Sequence, residues 1–418
     1  MESPSASTDR HDAWCALDAP ELLRHVRRQG GALEVDGLRI RLADAFGFCQ
    51  GVERAVELAL RAARAVLAAG SDAPASPVRL FVTGEIIHNP SINDELRRAG
   101  VVFLPPAGTP ERFAGIRADD RVIIPAFGIP RAEEATLERI GCTVIDTTCG
   151  WVCRVWRAAR EFSAAGLTIV IHGRVQHEET RATASRVDGP WNVVRDPAEA
   201  QRLARFVGAR FGPTGHIDPI FLREFAAHFG ACTSEGFDPS SDLARLGLVN
   251  QTTMLSSETE EIAGILRRAL EAREGGRPPG PDRFRSLDTF CPATQRRQDA
   301  VRRMIAGGEI DRLIVVGGFR SSNTGHLARL GAERLPSFHV EDASCLIDRD
   351  TIRHLPPEAA EPVLARGWLP DAPGTIGVTA GASTPDRETG MILQRLIALH
   401  TARPCGPSGS AGFPGSSS

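Results

Sequence analysis

Three times in this 418-residue chain a cysteine stands where an extended apolar segment hands over to a long helical one. The first unit runs LRIRLADAFGFC into Cys49, continues as QGVERAVELALRAARAVLAAG to Gly70, and resumes with the strand-like RLFVTG. The second has CTVIDTTC ending in Cys149, then WVCRVWRAAREFSAAG to Gly166 and LTIVIHG. The third has FRSLDTFC ending in Cys291, then PATQRRQDAVRRMIAGG to Gly308 and DRLIVVGG, and it shares Asp-Thr-x-Cys with the second. Each reads as a β-α-β unit with its cysteine at the strand-to-helix corner. Such corners are where open α/β sheets bind ligands, and a helix N-terminus favours a thiolate.

The cysteines are 100 and 142 residues apart, too far for a local metal knuckle, so any meeting of their sulfurs must come from the fold. The expectation is three similar α/β lobes in a pseudo-threefold arrangement with the thiols at the centre. The lobes are expected over 39–140, 141–281 and 282–400, with an N-terminal extension over 1–38 and a disordered Gly/Ser/Pro-rich tail over 401–418. Cys15, Cys142, Cys153, Cys232, Cys345 and Cys405 occupy no repeated position and read as core or surface residues. Three thiolates can hold zinc with an open site, or an iron–sulfur cluster with one iron lacking a protein ligand. With no fourth Cys or His at a matching corner, the set leans toward the cluster.

Composition narrows the chemistry. The chain has no tyrosine and no lysine, so all 49 basic residues are arginine, set against 52 acidic ones for a net charge of −3. A lysine Schiff base, a Walker-type phosphate loop and a tyrosine acid are excluded. No basic block with interleaved aromatics suits a nucleic acid, and no stretch approaches the roughly 18 uninterrupted apolar residues of a membrane span. Nine cysteines at irregular spacing do not form a secreted disulfide framework, which points to a reducing cytoplasm.

After its second strand each unit delivers polar residues to what should be one rim. GEIIHNP supplies Glu85, His88 and Asn89, and HGRVQHEET supplies His172, His177, Glu178, Glu179 and Thr180. GGFRSSNTGH supplies Ser321, Ser322 and Asn323 at a helix start, a pattern that serves either as a cap or as a phosphate cradle. VNQTTML (Gln251, Thr252, Thr253) and GVTAGASTP (Ser383) end two further strands in hydroxyls. Neutral imidazoles and hydroxyls suit a diphosphate, and Glu179 is the carboxylate placed to donate or relay a proton. His172, directly after its strand, reads as structural.

These motifs together resemble one family. GFCQGVERAV, EIIHNP, VIIPAFG, DTTCGWVCRVW, HGRVQHEET, NQTTML, FCPATQRRQDA, VVGGFRSSNTGHL and GVTAGASTPD are similar, in order and over Ala43 to Ala398, to the 4-hydroxy-3-methylbut-2-enyl diphosphate reductase (LytB) family. The resemblance implies three α/β lobes around a 4Fe–4S cluster held by Cys49, Cys149 and Cys291, with one iron open to substrate. It places substrate histidines at His88 and His177, the proton-transfer glutamate at Glu179 and a threonine beside the substrate hydroxyl at Thr252. It places diphosphate contacts at Ser321, Ser322, Asn323 and Ser383. The implied reaction is reductive dehydroxylation to isopentenyl and dimethylallyl diphosphate, the last step of the non-mevalonate isoprenoid pathway. With no dinucleotide fingerprint in the chain, the implied electron source is ferredoxin or flavodoxin.

PAFG, HEET and NQTTML resemble the cyanobacterial and plastid branch, with Phe127 where many bacterial members carry histidine. Gly150 stands where the family usually has proline, and Arg320, where it usually has asparagine, is positioned to pair with the diphosphate. Two other functions share these features: an iron–sulfur binding or sensing protein without turnover, and a cluster-dependent hydratase that needs no electrons.

Overall fold

The computed structural model describes residues 17–69, 78–209, 219–287 and 289–401. Residues 1–16, Asp288 and the Gly/Ser/Pro-rich stretch from 402 onward lie outside the described residues.

Among the described residues, three larger sheets organise the chain, beside a two-stranded antiparallel ribbon of Thr351–His354 and Val363–Arg366. The first is ordered Val102–Phe103, Leu80–Val82, Arg121–Ile124, Thr143–Asp146, and the second Trp191–Val194, Thr168–His172, Leu246–Asn250, Phe284–Ser286. Both are parallel throughout and, numbered along the chain, both have the strand order 2-1-3-4. The third repeats this order with Ser337–Val340, Arg312–Val316 and Gly374–Ala380, but its fourth strand is Leu38–Leu42, from near the start of the chain. Ala32–Val35 pairs antiparallel with that strand through a turn at Asp36 and Gly37, whose φ values of 46° and 81° suit a tight hairpin. Central strands such as Thr168–His172 and Leu246–Asn250 are buried along their whole length, as a parallel strand covered on both faces must be.

This topology corrects the expected single-sheet β-α-β units. Thr143–Asp146 leads to Cys149 but pairs with Arg121–Ile124 in the first sheet, and the helix Gly150–Ala164 then carries the chain into the second. Phe284–Ser286 likewise closes the second sheet before Cys291, and Pro292–Ala306 opens the third. Leu38–Leu42 closes the third sheet before Cys49, and Gln50–Ala69 leads into the first. Each cysteine therefore marks a crossing between sheets. The lobe limits expected at 140/141 and 281/282 fall just ahead of a strand that pairs backward.

The segment expected as an N-terminal extension is also part of the third lobe where it is described. On the helix Ala19–Arg28, Leu22, Leu23 and Val26 join Leu33, Val35 and Leu38 in one core with Ile392 and Leu396 of the last helix, Asp386–Thr401. Each such buried side chain contributes about 1.5–3 kcal/mol. Arg27 adds a two-pronged contact to Asp386 at 2.6 and 2.9 Å.

In a 2-1-3-4 parallel sheet the connections diverge between strands one and three, and the crevice at their carboxyl ends is the natural ligand site. In all three sheets those ends carry the residues singled out above. Strand one leads to His88, to His177 and Glu179, or to Ser321–Asn323; strand three leads to Phe127, Thr252 or Ser383.

Candidate active site

Cys149 and Cys291 occupy the N-cap positions of their helices in extended backbone conformation, and Cys49 directly precedes its helix. Burial pushes the Cys149 thiol up to about 11; the N–H groups of Trp151 and Val152 oppose this, while Cys291 and Cys49 lie close enough to add to it. Burial raises Cys291 as well, against the N–H groups of Thr294 and Ala293. Such a trio gives up its protons when a cation joins it. Gly51 makes the approach possible, since a Cβ there would lie 2.7 Å from Cys149 Sγ and 4.0 Å from Cys49 Sγ.

Among the described residues, the group of three His, Cys, Asp or Glu donors within 4.8 Å of one another is His88, His177 and Glu178, not the thiols. Three gathered thiols and no other donor type between them make an all-sulfur set of the kind that holds iron–sulfur clusters.

His88 hangs from the loop after Leu80–Val82. Its Nδ1 lies 2.9 Å from Glu85 Oε2 and its Nε2 3.5 Å from Glu178 Oε2. Phe127 stacks on the ring at 4.4 Å, and His177 meets both rings edge-on at 5.2 and 5.5 Å. His177 caps the short helix Glu178–Ala184 with its side chain: Nδ1 accepts from the Glu179 N–H at 3.2 Å, which leaves the ring proton on Nε2. Burial, together with His88, Arg174 and Arg320, holds His177 well below the usual histidine range, so it is neutral at pH 7.

Glu179, in the first turn of that helix, is 1% exposed. Oε1 accepts from the Thr252 N–H at 2.6 Å and Oε2 from the Thr252 hydroxyl at 2.9 Å. Burial raises its carboxyl to about 7 although both Thr252 bonds pull it down. A carboxyl poised there can give or take a proton near neutrality.

Ser321 caps the helix Ser322–Ala332, and its Oγ lies 3.3 Å from that of Ser383, which in turn reaches the His88 carbonyl at 3.5 Å. Gly318 permits this meeting of lobes, because a Cβ there would come within 2.5 Å of the His88 carbonyl oxygen. Ser322 Oγ and Asn323 Nδ2 are buried without a hydrogen-bond partner. Two unpaired donors beside the N–H groups of a helix start have the chemistry to cradle an anion. Asn323 Oδ1 accepts from the Ala382 N–H at 2.9 Å, and the Cys49 N–H reaches the Ala382 carbonyl at 3.3 Å, which joins the cradle to the thiol loop. Ser321, Ser383, His88, His177, Glu179 and Thr252 are consequently one connected wall.

Other residues settle differently. Asn89 does not line the rim: its Oδ1 caps Pro90–Arg98 by accepting from Ile92 N–H at 3.1 Å, while its Nδ2 donates to Glu388 at 2.9 Å. His172 is fully buried against Thr259 at 2.6 Å, a core residue as expected. Cys153 packs with Trp156 and Ala182 one turn beyond Cys149. Gly150 takes the first helical position, where nothing lies within 4 Å of an added Cβ.

One residue escaped the sequence reading. Arg297, 5% exposed, donates to the carbonyls of Gly47 at 3.1 Å and Phe48 at 3.0 Å, pinning the Cys49 loop, and its charge faces Cys49 and Cys291. A buried guanidinium beside these two sulfurs offsets the negative charge they take on when they bind a cation. The only signal in the sequence was an arginine among several on an amphipathic helix.

Fold and wall together define an α/β protein of three like sheets whose cysteines, histidines and helix-start hydroxyls meet at one set of strand ends. The model of the family described as LytB protein matches residues 40–397, and the chain belongs to that family. It is 40% identical to the 4-hydroxy-3-methylbut-2-enyl diphosphate reductase of Gloeobacter violaceus, over 94% of this chain and 90% of that protein. It is also 40% identical to the reductase of the same name from Thermosynechococcus vestitus, over 91% and 89%. Among solved structures, the E-1-hydroxy-2-methyl-but-2-enyl-4-diphosphate reductase from Plasmodium falciparum shares the fold with a TM-score of 0.57 at 18% identity, over 85% of this chain and 86% of that one.

Proposed function

We propose that this chain is a 4-hydroxy-3-methylbut-2-enyl diphosphate reductase that replaces the allylic hydroxyl of its substrate by hydrogen, giving isopentenyl and dimethylallyl diphosphate. The observation that carries this reading is the connected wall, which sets two buried, unpaired donors at a helix start, a neutral histidine and a carboxyl near 7 beside three gathered thiols.

Cys49, Cys149 and Cys291 would hold a 4Fe–4S cluster, leaving one iron without a protein ligand. Such a cluster supplies single electrons and a Lewis-acidic iron. Ser321, Ser322, Asn323 and Ser383 bind the diphosphate with help from the helix N-terminus. His88 and His177 bracket it from the other two lobes. Phe127 and the histidine rings keep bulk water away. Glu179 delivers a proton at the hydroxyl end, and Thr252 fixes both of its oxygens so that the proton leaves in one direction. Electrons come from an external ferredoxin or flavodoxin. No helix among the described residues is long and apolar enough to cross a membrane, and the free cysteines suit a reducing cytoplasm.

The test is anaerobic incubation of cluster-loaded protein with the hydroxylated diphosphate and a strong one-electron reductant. Both five-carbon products should form, and none without reductant. Conversion without electrons would favour a hydratase; a loaded but inert protein would favour a sensor.

A further inference from the structure

Behind Phe127 lies a cavity of about 40 Å³ lined by Thr83, Glu85, Arg112, Phe127, Glu133 and Glu178, among others. It belongs to the first lobe and its border with the second, away from the cradle of the third. Thr83 and Arg112 are 3% and 7% exposed, yet Thr83 Oγ1 and Arg112 Nε have no partner. The other guanidinium nitrogens of Arg112 are spent on the carbonyls of Pro105 and Thr83, and Nη2 also lies 3.2 Å from Glu133 Oε2. Buried hydroxyl and guanidinium N–H groups are rarely left unpaired. One water needs roughly 10–15 Å³ of such space and two to four polar partners, so this cavity has room for about three.

Two of its walls reach His88. Glu85 turns Oε1 to Arg320 at 3.0 Å and Oε2 to His88 Nδ1 at 2.9 Å. Glu178 divides its oxygens in the same way, Oε1 to Arg320 at 3.7 Å and Oε2 to His88 Nε2 at 3.5 Å. Phe127 is the apolar partition, stacked on His88 and also lining the cavity, and the two carboxylates carry the polar contact around it.

We propose that this cavity holds a small cluster of ordered water that feeds protons through Glu85 and Glu178 to His88. The inference rests on the reductase reading, in which R–OH + 2e− + 2H+ gives R–H + H2O. The electrons come from the external carrier and one proton from Glu179. The second enters from the chamber at the His88 end, passed from its water along the contacts that Glu85 and Glu178 make to the His88 ring.

A high-resolution crystal structure of the cluster-loaded protein should show waters bonded to Thr83 Oγ1 and Arg112 Nε; a dry cavity overturns the proposal. In turnover, Glu178→Gln should lower kcat by at least about tenfold with KM little changed, since general acid–base groups contribute on that scale or above. It should also raise the solvent deuterium isotope effect and recover in part with added formate, a small proton donor. Thr83→Val should show the same pattern more weakly, with unchanged cluster absorbance and melting temperature. Wild-type kcat and isotope effect in both variants, or slow variants with no change in isotope effect and no rescue, would overturn it. A wild-type protein that does not turn over sinks the reductase reading instead, and the chamber is then decided by its waters.

Discussion

Thr252 holds both oxygens of Glu179, one with its backbone N–H at 2.6 Å and the other with its hydroxyl at 2.9 Å. The contact joins the third strand end of the second sheet to the first, so the carboxyl has one orientation. Burial outweighs the two bonds and leaves the group near 7.

A proton donor of this kind sets the pH dependence of turnover. Activity should decline as pH rises through about 7, where Glu179 loses its proton. Glu179→Gln should reduce kcat by roughly 10²–10⁴ with the cluster spectrum unchanged. Thr252→Val removes one bond that lowers the carboxyl, so its pH–rate limb should move to higher pH. Steady-state rates from pH 5.5 to 9 read all three.

The same group makes stability depend on pH. Unfolded, an ordinary glutamate releases its proton near 4.5, whereas folded Glu179 keeps it to about 7. Between those values the native state binds the extra proton, so stability is greatest below 4.5 from this group and is lost as pH rises to 7. The loss is on the order of 3 kcal/mol in full. Urea midpoints measured anaerobically at pH 5 and pH 8 should therefore differ less for Glu179→Gln than for wild type.

In the cradle, Ser322→Ala removes a buried donor that has no protein partner, so it should raise KM about fivefold, near 1 kcal/mol, with kcat little changed. Arg320 is 69% exposed and its ion pairs with Glu85 and Glu178 are weak enough to exchange for a diphosphate. Arg320→Asn should raise KM at low salt and flatten its dependence on ionic strength, because only an exposed charge is screened in this way.

Gly150 offers a stabilising change. Proline already fills the equivalent first helical position at Pro292, and Cys149 before Gly150 is extended at φ −66° and ψ 135°, as a residue preceding proline should be. Gly150→Pro should gain about 0.4–1 kcal/mol by restricting the unfolded chain, seen as a higher urea midpoint with iron content unchanged.

The order strand, cysteine, helix was readable because it is local: a short apolar run, a corner and a long amphipathic helix. Sheet membership was not, because the side chains of Thr143–Asp146 read the same whichever parallel neighbour they take, and the partner is fixed by distant packing. Leu38–Leu42 shows this most sharply, completing a sheet whose other parallel strands begin at Arg312. Asn89 could have been read correctly from Asn-Pro, a cap followed by proline at the first turn. Arg297 and Arg112 could not, since only burial separates them from the other arginines of the chain.

The central claim is that one cysteine from each sheet crossing jointly holds an iron–sulfur cluster, and iron and sulfide content per chain tests it most directly. Wild-type protein purified without oxygen should carry about four of each, and Cys49→Ser, Cys149→Ser and Cys291→Ser should each lose the cluster and its visible absorbance while Cys153→Ser keeps it. Zinc in place of iron, or full iron content in any of the three variants, would contradict the account.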